Sequence, residues 1–328
     1  MRNPALFLLL FLMATLTHAQ SENPDLLRTP AISPDGQQVA FSYQGDIWSM
    51  QIDGSDPKRL TIHEAYEDHP VWSPDGSSIA FSGGRYGNDD VYTIPAIGGV
   101  PKRLTFHSSG DIAYSWENDQ ILFTTRRAFQ QVERDSEIYG VTPGGGTPER
   151  VLDAVGGMPS LSPDGRYIAF TRGSCRVARE QYRGPADKEI WLYDTRDKAY
   201  TQLTDNEVND YMPRWADNST LVFISAASGR YNLVKQVIAN GKTSGQIQPV
   251  TQFTEDGVRH FDVAGNRYVF ERKTGIYRVQ EGQQSKVIRV DLNTDYRFDP
   301  TERKTFTNWI NEYAISPNGK YIAMEIRG

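Results

Sequence analysis

Hydrophobic residues in this chain come in short runs at alternate positions, punctuated by Pro-Asp-Gly and Asp-Gly. Residues 31–61, AISPDGQQVAFSYQGDIWSMQIDGSDPKRLT, show the unit. A first strand ends at Ser33 and turns on Pro34-Asp35-Gly36. A second spans 38–42, a third 46–50 after Gln44-Gly45, and a fourth 58–61 after Asp53-Gly54. Proline presets φ for the first turn, and Asp-Gly tolerates a positive-φ corner. The apolar spacing is that of strands, with no helical period in any window. Four antiparallel strands on tight turns predict one β-meander.

The unit recurs. His69-Pro70-Val71-Trp72-Ser73-Pro74-Asp75-Gly76 opens a second copy, with Asp75 standing 40 residues after Asp35. A degenerate third is built around Tyr114-Ser115-Trp116-Glu117-Asn118-Asp119. Leu161-Ser162-Pro163-Asp164-Gly165 opens a fourth, Pro213-Arg214-Trp215 a fifth and Phe261-Asp262-Val263 a sixth. A seventh begins at Tyr313-Ala314-Ile315-Ser316-Pro317-Asn318-Gly319 and supplies strands for only half a unit. Four strands per unit, with a period of roughly 40 to 53 residues, predict a β-propeller. One such sheet cannot bury both its faces, so neighbours must stack around an axis. The fold class is therefore all-β: a six-bladed propeller over residues 20–291, then a connector and the first strands of a further propeller over 292–328. Phe41, Phe81, Phe123, Phe170, Phe223 and Phe270 share one place in the second strand. Trp48, Tyr92, Tyr139, Trp191 and Tyr277 share one in the third. Such repetition is what stacked sheets require, so these rings read as packing between blades and not as a cofactor platform.

The N-terminus departs from this pattern. Arg2 precedes an apolar run over 5–16 that is too short to span a bilayer, and Thr17-His18-Ala19 resembles a small-x-small cleavage site. Residues 1–19 read as a signal peptide, which places the mature chain in the periplasm or outside the cell, with no membrane span. Cys175 is the one cysteine, so an intrachain disulfide is excluded. The net charge of −6 carries no nucleic-acid footprint.

A search for chemistry returns little. The chain has no G-x-S-x-G, Walker loop or G-x-G-x-x-G. His63-Glu64-Ala65-Tyr66-Glu67 has a glutamate where a zinc-binding motif needs its second histidine. Asp90 matches Asp46 and Glu189 at the start of the third strand, which makes it a structural residue of the repeat and not a calcium ligand. No catalytic residue, metal or cofactor is expected.

The individuality lies in the loops. The Pro-Asp-Gly turns all lie on one face of the disc. The opposite face collects the long insertions 83–89, 124–136, 172–188 and 226–230. These insertions are rich in arginine, including Arg85, Arg126, Arg127, Arg134 and Arg183, while the blade links supply Glu64, Glu67, Asp68, Asp205, Glu207 and Asp210. Two readings stand: a solvated rim whose charges pair with one another, or a docking and gating surface at the mouth of the axial channel. On the second, Arg85, Arg126, Arg127 and Arg183 are the candidate binding residues.

The repeat SPDG-x-x-[IV]-A-F, then [DE]-[IV]-[WY] and R-L-T, resembles the WD40-like PD40 repeat of TolB, of tricorn-type proteases and of prolyl-oligopeptidase propellers. Leu27-Arg28-Thr29-Pro30, Tyr43-Gln44-Gly45-Asp46-Ile47-Trp48, Arg85-Tyr86-Gly87-Asn88-Asp89-Asp90-Val91-Tyr92 and Tyr182-Arg183-Gly184-Pro185-Ala186 narrow it. Together they resemble the first propeller of tricorn-type proteases. That resemblance implies a six-bladed, non-catalytic unit that gates oligopeptides or protein substrates. It also implies a second propeller, a PDZ domain and a serine-peptidase core in the same polypeptide, with the catalytic residues beyond Gly328. Homo-oligomerisation is left open. The alternative is a TolB-like protein-binding propeller with no enzymatic role, although TolB-like chains carry an α/β domain ahead of the blades. The α/β-hydrolase domain of a prolyl-oligopeptidase-like protein would instead bring G-x-S-x-G downstream.

Overall fold

The computed structural model describes residues 24–128, 136–292, 305, 307 and 310–326. The expected leader, 1–19, and Arg134 lie outside the described residues. The chain divides into two units, one running to Leu292 and the other starting at Asn293.

The first unit holds six sheets, each of four antiparallel strands taken consecutively from the sequence. Blade one is Arg28–Ile32, Gln38–Tyr43, Asp46–Gln51 and Lys58–Arg59. Blade two repeats it with Glu67–Trp72, Ser78–Gly83, Asp90–Pro95 and Lys102–Arg103. The inner strands of the other four blades are Ile112–Glu117, Gly157–Leu161, Asp210–Trp215 and His260–Ala264. Each inner strand packs against those of its neighbours, and that of blade six packs against that of blade one, so the ring is closed. No helix occurs among the described residues.

The repeat motifs explain this local structure. In the Ser-Pro-Asp-Gly turn, Ser33 Oγ donates to Asp35 Oδ1 at 2.5 Å, and the same carboxylate oxygen accepts from Gln37 N at 3.0 Å. Ser33 Oγ in turn accepts from Gln38 N, which fixes the register of the hairpin. Gly36 adopts a φ of 71°, as the corner demands. Ser73 with Asp75 and Ser162 with Asp164 repeat the device. The Asp-Ile-Trp and Arg-Leu-Thr motifs lock the third strand to the fourth. Arg59 Nη2 lies 2.6 Å from the buried Asp46 carboxylate, and Arg103 Nη2 lies 2.7 Å from Asp90. Thr61 and Thr105 accept from the backbone N–H of Ile47 and Val91, each at 2.9 Å.

Second- and third-strand aromatics meet as cross-strand pairs, Phe41 with Trp48, Phe81 with Tyr92, Phe123 with Tyr139, Phe170 with Trp191 and Phe270 with Tyr277. Six hydrophobic clusters lie at the six blade junctions. The closing junction joins Phe41 and Trp48 of blade one to Val269, Ile276 and Ile288 of blade six. Closure comes from packing, with no exchanged strand in any of the six sheets. Leu27 N donates to Thr274 O at 3.1 Å, and Arg28 Nε pairs with Glu271 at 3.2 Å.

Inner strands of four blades carry a β-bulge at an X-Pro step. Thr29, His69, Met158 and Met212 each take a positive φ of 45–54° ahead of Pro30, Pro70, Pro159 and Pro213. A bulge re-aims the side chain it carries. Repetition in four blades makes this a feature of the scaffold.

The second unit contains a two-stranded sheet, Ile310–Ile315 with Ile322–Ile326. Its Ser316–Asn318 turn copies the blade hairpins. Tyr313, Tyr321 and Met324 are exposed.

Candidate functional site

Two of the four candidate arginines are engaged within the scaffold. Arg85 Nε lies 2.5 Å from Glu67, whose carboxylate is fully buried at the start of the inner strand of blade two. Arg127 Nη2 lies 2.5 Å from Asp111, equally buried at the start of blade three. Each pair ties the loop after a second strand to the preceding blade link. Both guanidiniums also rest on rings, Arg85 at 5.3 Å from the Tyr92 centroid and Arg127 at 5.2 Å from that of Phe123. The other two candidates are exposed. Arg126 lines a cavity on the loop face, and Arg183 precedes Gly184 to Lys188, which line the same cavity.

That cavity measures about 1360 Å³ and lies between blades three and four. One wall is the link 155–158 and the other is the long loop of blade four, 172–188. The loop is held firmly. At Gly173 φ is 120°, and a Cβ there would overlap Asp187 O, so the base of the loop closes only around glycine. Cys175 N donates to Ala186 O at 2.7 Å, and Lys188 Nζ to Gly173 O at 2.8 Å. Asn209 donates to Arg179 O, and the Tyr231 hydroxyl to Val177 O, which pins the loop over blade five.

The lining is mixed in charge. Arg126, Arg172, Arg176 and Lys188 stand among Asp187, Glu189, Asp205 and Glu207. The Arg172 guanidinium lies 4.7 Å from the Trp191 ring. Burial pushes the Glu189 carboxyl up to about 7 against a hydrogen bond from the Thr204 hydroxyl. Gln202 takes the place that Arg59 and Arg103 hold in blades one and two, so Glu189 lacks the guanidinium partner of its counterparts.

A second, smaller cavity of about 260 Å³ occupies the axis and is lined by all six inner strands. The sequence reading missed its residues. His69 Nδ1 lies 2.7 Å from Asp68 in a close approach off the line a hydrogen bond needs. The His69 ring meets Tyr114 at 5.5 Å and His260 at 5.7 Å. Arg214 Nε stands 3.8 Å from Asp262 Oδ1, and its guanidinium 5.8 Å from the Tyr114 ring. Tyr114 borders both cavities, so the loop-face cavity abuts the axis there. One signal was available in the sequence. Ala31, Val71, Ser115 and Ser160 pair with the residue before the repeated second-strand phenylalanine, and blades five and six put Arg214 and Asp262 at that place.

Comparison with known proteins agrees with the architecture. The family model for the tricorn protease N-terminal beta propeller domain matches residues 24–285. A tricorn protease homolog of Saccharolobus solfataricus is 25% identical over 306 residues, covering 89% of this chain and 27% of its own length. Tricorn protease homolog 1 of Streptomyces coelicolor is 25% identical over 275 residues, covering 83% of this chain and 25% of its own. The chain thus spans about a quarter of these relatives. Among solved structures, that of the tricorn protease superposes with a TM-score of 0.70 at 20% identity, covering 83% of this chain and 27% of that one. A putative TolB from Agrobacterium tumefaciens superposes at 0.57 and 20% identity, covering 77% and 84%. At these identities the structural likeness establishes the six-bladed scaffold, and the family match, over most of the chain, establishes the lineage. The chain belongs to the family of tricorn protease N-terminal β-propeller domains.

Proposed function

We propose that this chain is the non-catalytic propeller of an exported, tricorn-like serine peptidase, and that its loop face docks or gates oligopeptides for a catalytic domain elsewhere in the polypeptide. The observation that carries this reading is the loop-face cavity. It is large, walled by a firmly pinned loop, lined by charges of both signs, and adjacent to the axis at Tyr114. Variable loops on a rigid scaffold are where binding residues concentrate. Arg126 and Arg183 are the members of the predicted set still free to meet a peptide. Arg85 and Arg127 act by shaping the rim.

The test uses the complete polypeptide. Arg126→Glu is expected to change the turnover of decapeptides more than that of tripeptides, because only the longer chain reaches across the cavity. Equal effects on both lengths would argue against gating. Export is tested by N-terminal sequencing of the secreted or periplasmic protein, which should begin at Gln20; a start at Met1 would reject it. The likeness to a putative TolB, most of whose length is covered, favours a second reading as a protein-binding propeller with no enzymatic role. The reading frame beyond Gly328 separates the two: further blades, a PDZ domain and a serine-peptidase core support the first.

A further inference from the structure

The axial cavity differs from the solvent-filled hole expected at the centre of a packed ring. Four blades place Ala31, Val71, Ser115 or Ser160 at the equivalent inner position, whereas blades five and six place Arg214 and Asp262. These two charges stand side by side without closing. Their 3.8 Å separation exceeds the roughly 2.7–2.9 Å of a charge-assisted hydrogen bond. A closed buried pair in this same protein, Arg59 with Asp46 within blade one, stands at 2.6 Å. Arg214 is buried and gives its Nη1 to Pro213 O, while Asp262 accepts from Ile32 N through Oδ2. The 23% of the Asp262 side chain that stays accessible faces the cavity. Glu117 and the buried His260 line the same space.

We infer that the axial cavity binds a small zwitterion, a free amino acid or a dipeptide, with its α-carboxylate on Arg214 and its α-ammonium between Asp262 and Glu117. A simple anion would be repelled by the two carboxylates, and a simple cation by the guanidinium; a molecule with both ends charged satisfies each wall. At about 260 Å³ the cavity falls just below the roughly 300–1,000 Å³ of drug-sized pockets, which suits one or two residues and not a longer chain. Burial pushes Asp262 up to about 6 and Glu117 up to about 7, the latter also through the charge of Asp262. Both carboxylates are thus short of positive charge, which an ammonium would supply. The inference goes beyond the reading above, since it concerns the axis and not the loop-face cavity.

The test is calorimetric titration of the chain with L-alanyl-L-alanine at pH 7.5. Saturable binding is expected, weakened at least about tenfold by N-acetylation and again by C-terminal amidation, since each removes one ion pair. Arg214→Met should abolish binding of the dipeptide. Glu117→Gln, which leaves Arg214 and Asp262 in place, should weaken the dipeptide but not its N-acetyl derivative. L-Alanine binding as tightly as the dipeptide assigns the site to free amino acids, and weaker binding assigns it to dipeptides; either supports a zwitterion site. No saturable binding up to about 10 mM, or equal binding of the doubly blocked peptide, overturns it. If a decapeptide still docks while the dipeptide does not bind, this inference falls and the loop-face reading survives.

Discussion

Removing the guanidinium of Arg103 should destabilise the propeller through the carboxylate it leaves behind. The Asp90 side chain is fully inaccessible, and Arg103 Nη2 lies 2.7 Å away at 22% exposure. Burial raises the Asp90 pKa even with the guanidinium beside it. Arg103→Met keeps most of the aliphatic stem and removes the guanidinium, which lies against the rings of Tyr86 and Phe106. Stranding one partner of a buried pair costs about 3–5 kcal/mol. For a domain of this size that amounts to a fall in Tm of about 6–20 °C. The protein also contains the neutral solution. In blade five Asn232 replaces the carboxylate and accepts from Thr251 and Phe253. In blade four Gln202 donates to Thr204 O at 2.8 Å, as Arg103 Nε does to Thr105 O at 2.9 Å. The double variant Asp90→Asn with Arg103→Gln should therefore lie within about 1.5 kcal/mol of the parent, well short of the single variant. Denaturant unfolding at pH 5 and pH 8 adds a signature. With its counter-charge gone, the folded-state pKa of Asp90 rises further above that of the unfolded chain, so stability is lost as pH rises and the deficit should be larger at pH 8. A loss under about 1 kcal/mol at pH 8, or an equal loss at both pH values, would refute the reasoning.

Three further outcomes are expected. Phe170→Ala removes a fully buried ring between blades three and four and should cost about 3–5 kcal/mol by chemical denaturation; an unchanged midpoint would reject its core placement. Gly54 sits at a φ of 93° with Arg289 O where a Cβ would be, so Gly54→Ala should cost more than about 1 kcal/mol and raise hydrogen exchange at the junction of blades one and six; unaltered exchange there would contradict this. Between pH 5 and 8 the melting temperature should fall. Glu117 and Glu189, held at about 7, and Asp210 and Asp262, at about 6, keep protons in the folded state that the unfolded chain releases near 4, so their contribution is lost as pH rises through 6–7. His260, held neutral by burial, acts in the opposite direction below about 6.5, but it is one group against four, and a rising melting temperature would overturn the balance.

Much of the architecture is local and hence legible in the sequence. Ser-Pro-Asp-Gly closes a hairpin within six residues, and a recurring phenylalanine sets the junction of each blade with the next. Strand ends were less legible. The fourth strand of blade one ends at Arg59, two residues short of the motif, and that of blade five runs Lys242–Pro249 as half of a longer hairpin. The rim was harder to read. Arg85 lies 18 residues from Glu67 and Arg127 16 from Asp111, so charge counting cannot tell a staple from a free docking group. The axial cluster was illegible as a cluster, because His69, Tyr114, Arg214 and Asp262 come from four different blades. Only the place that Arg214 and Asp262 share in the repeat could have flagged two of them.

Hydrogen–deuterium exchange of the chain with and without a mixed-charge decapeptide, read alongside the mass of the recovered peptide, tests the central claim most directly. Docking without cleavage predicts slowed exchange in the link 155–158 and the loop 172–188, unchanged exchange in the Pro-Asp-Gly turns at 33–37 and 73–77, and a peptide of intact mass. Protection confined to those turns, or a cleaved peptide, would contradict it.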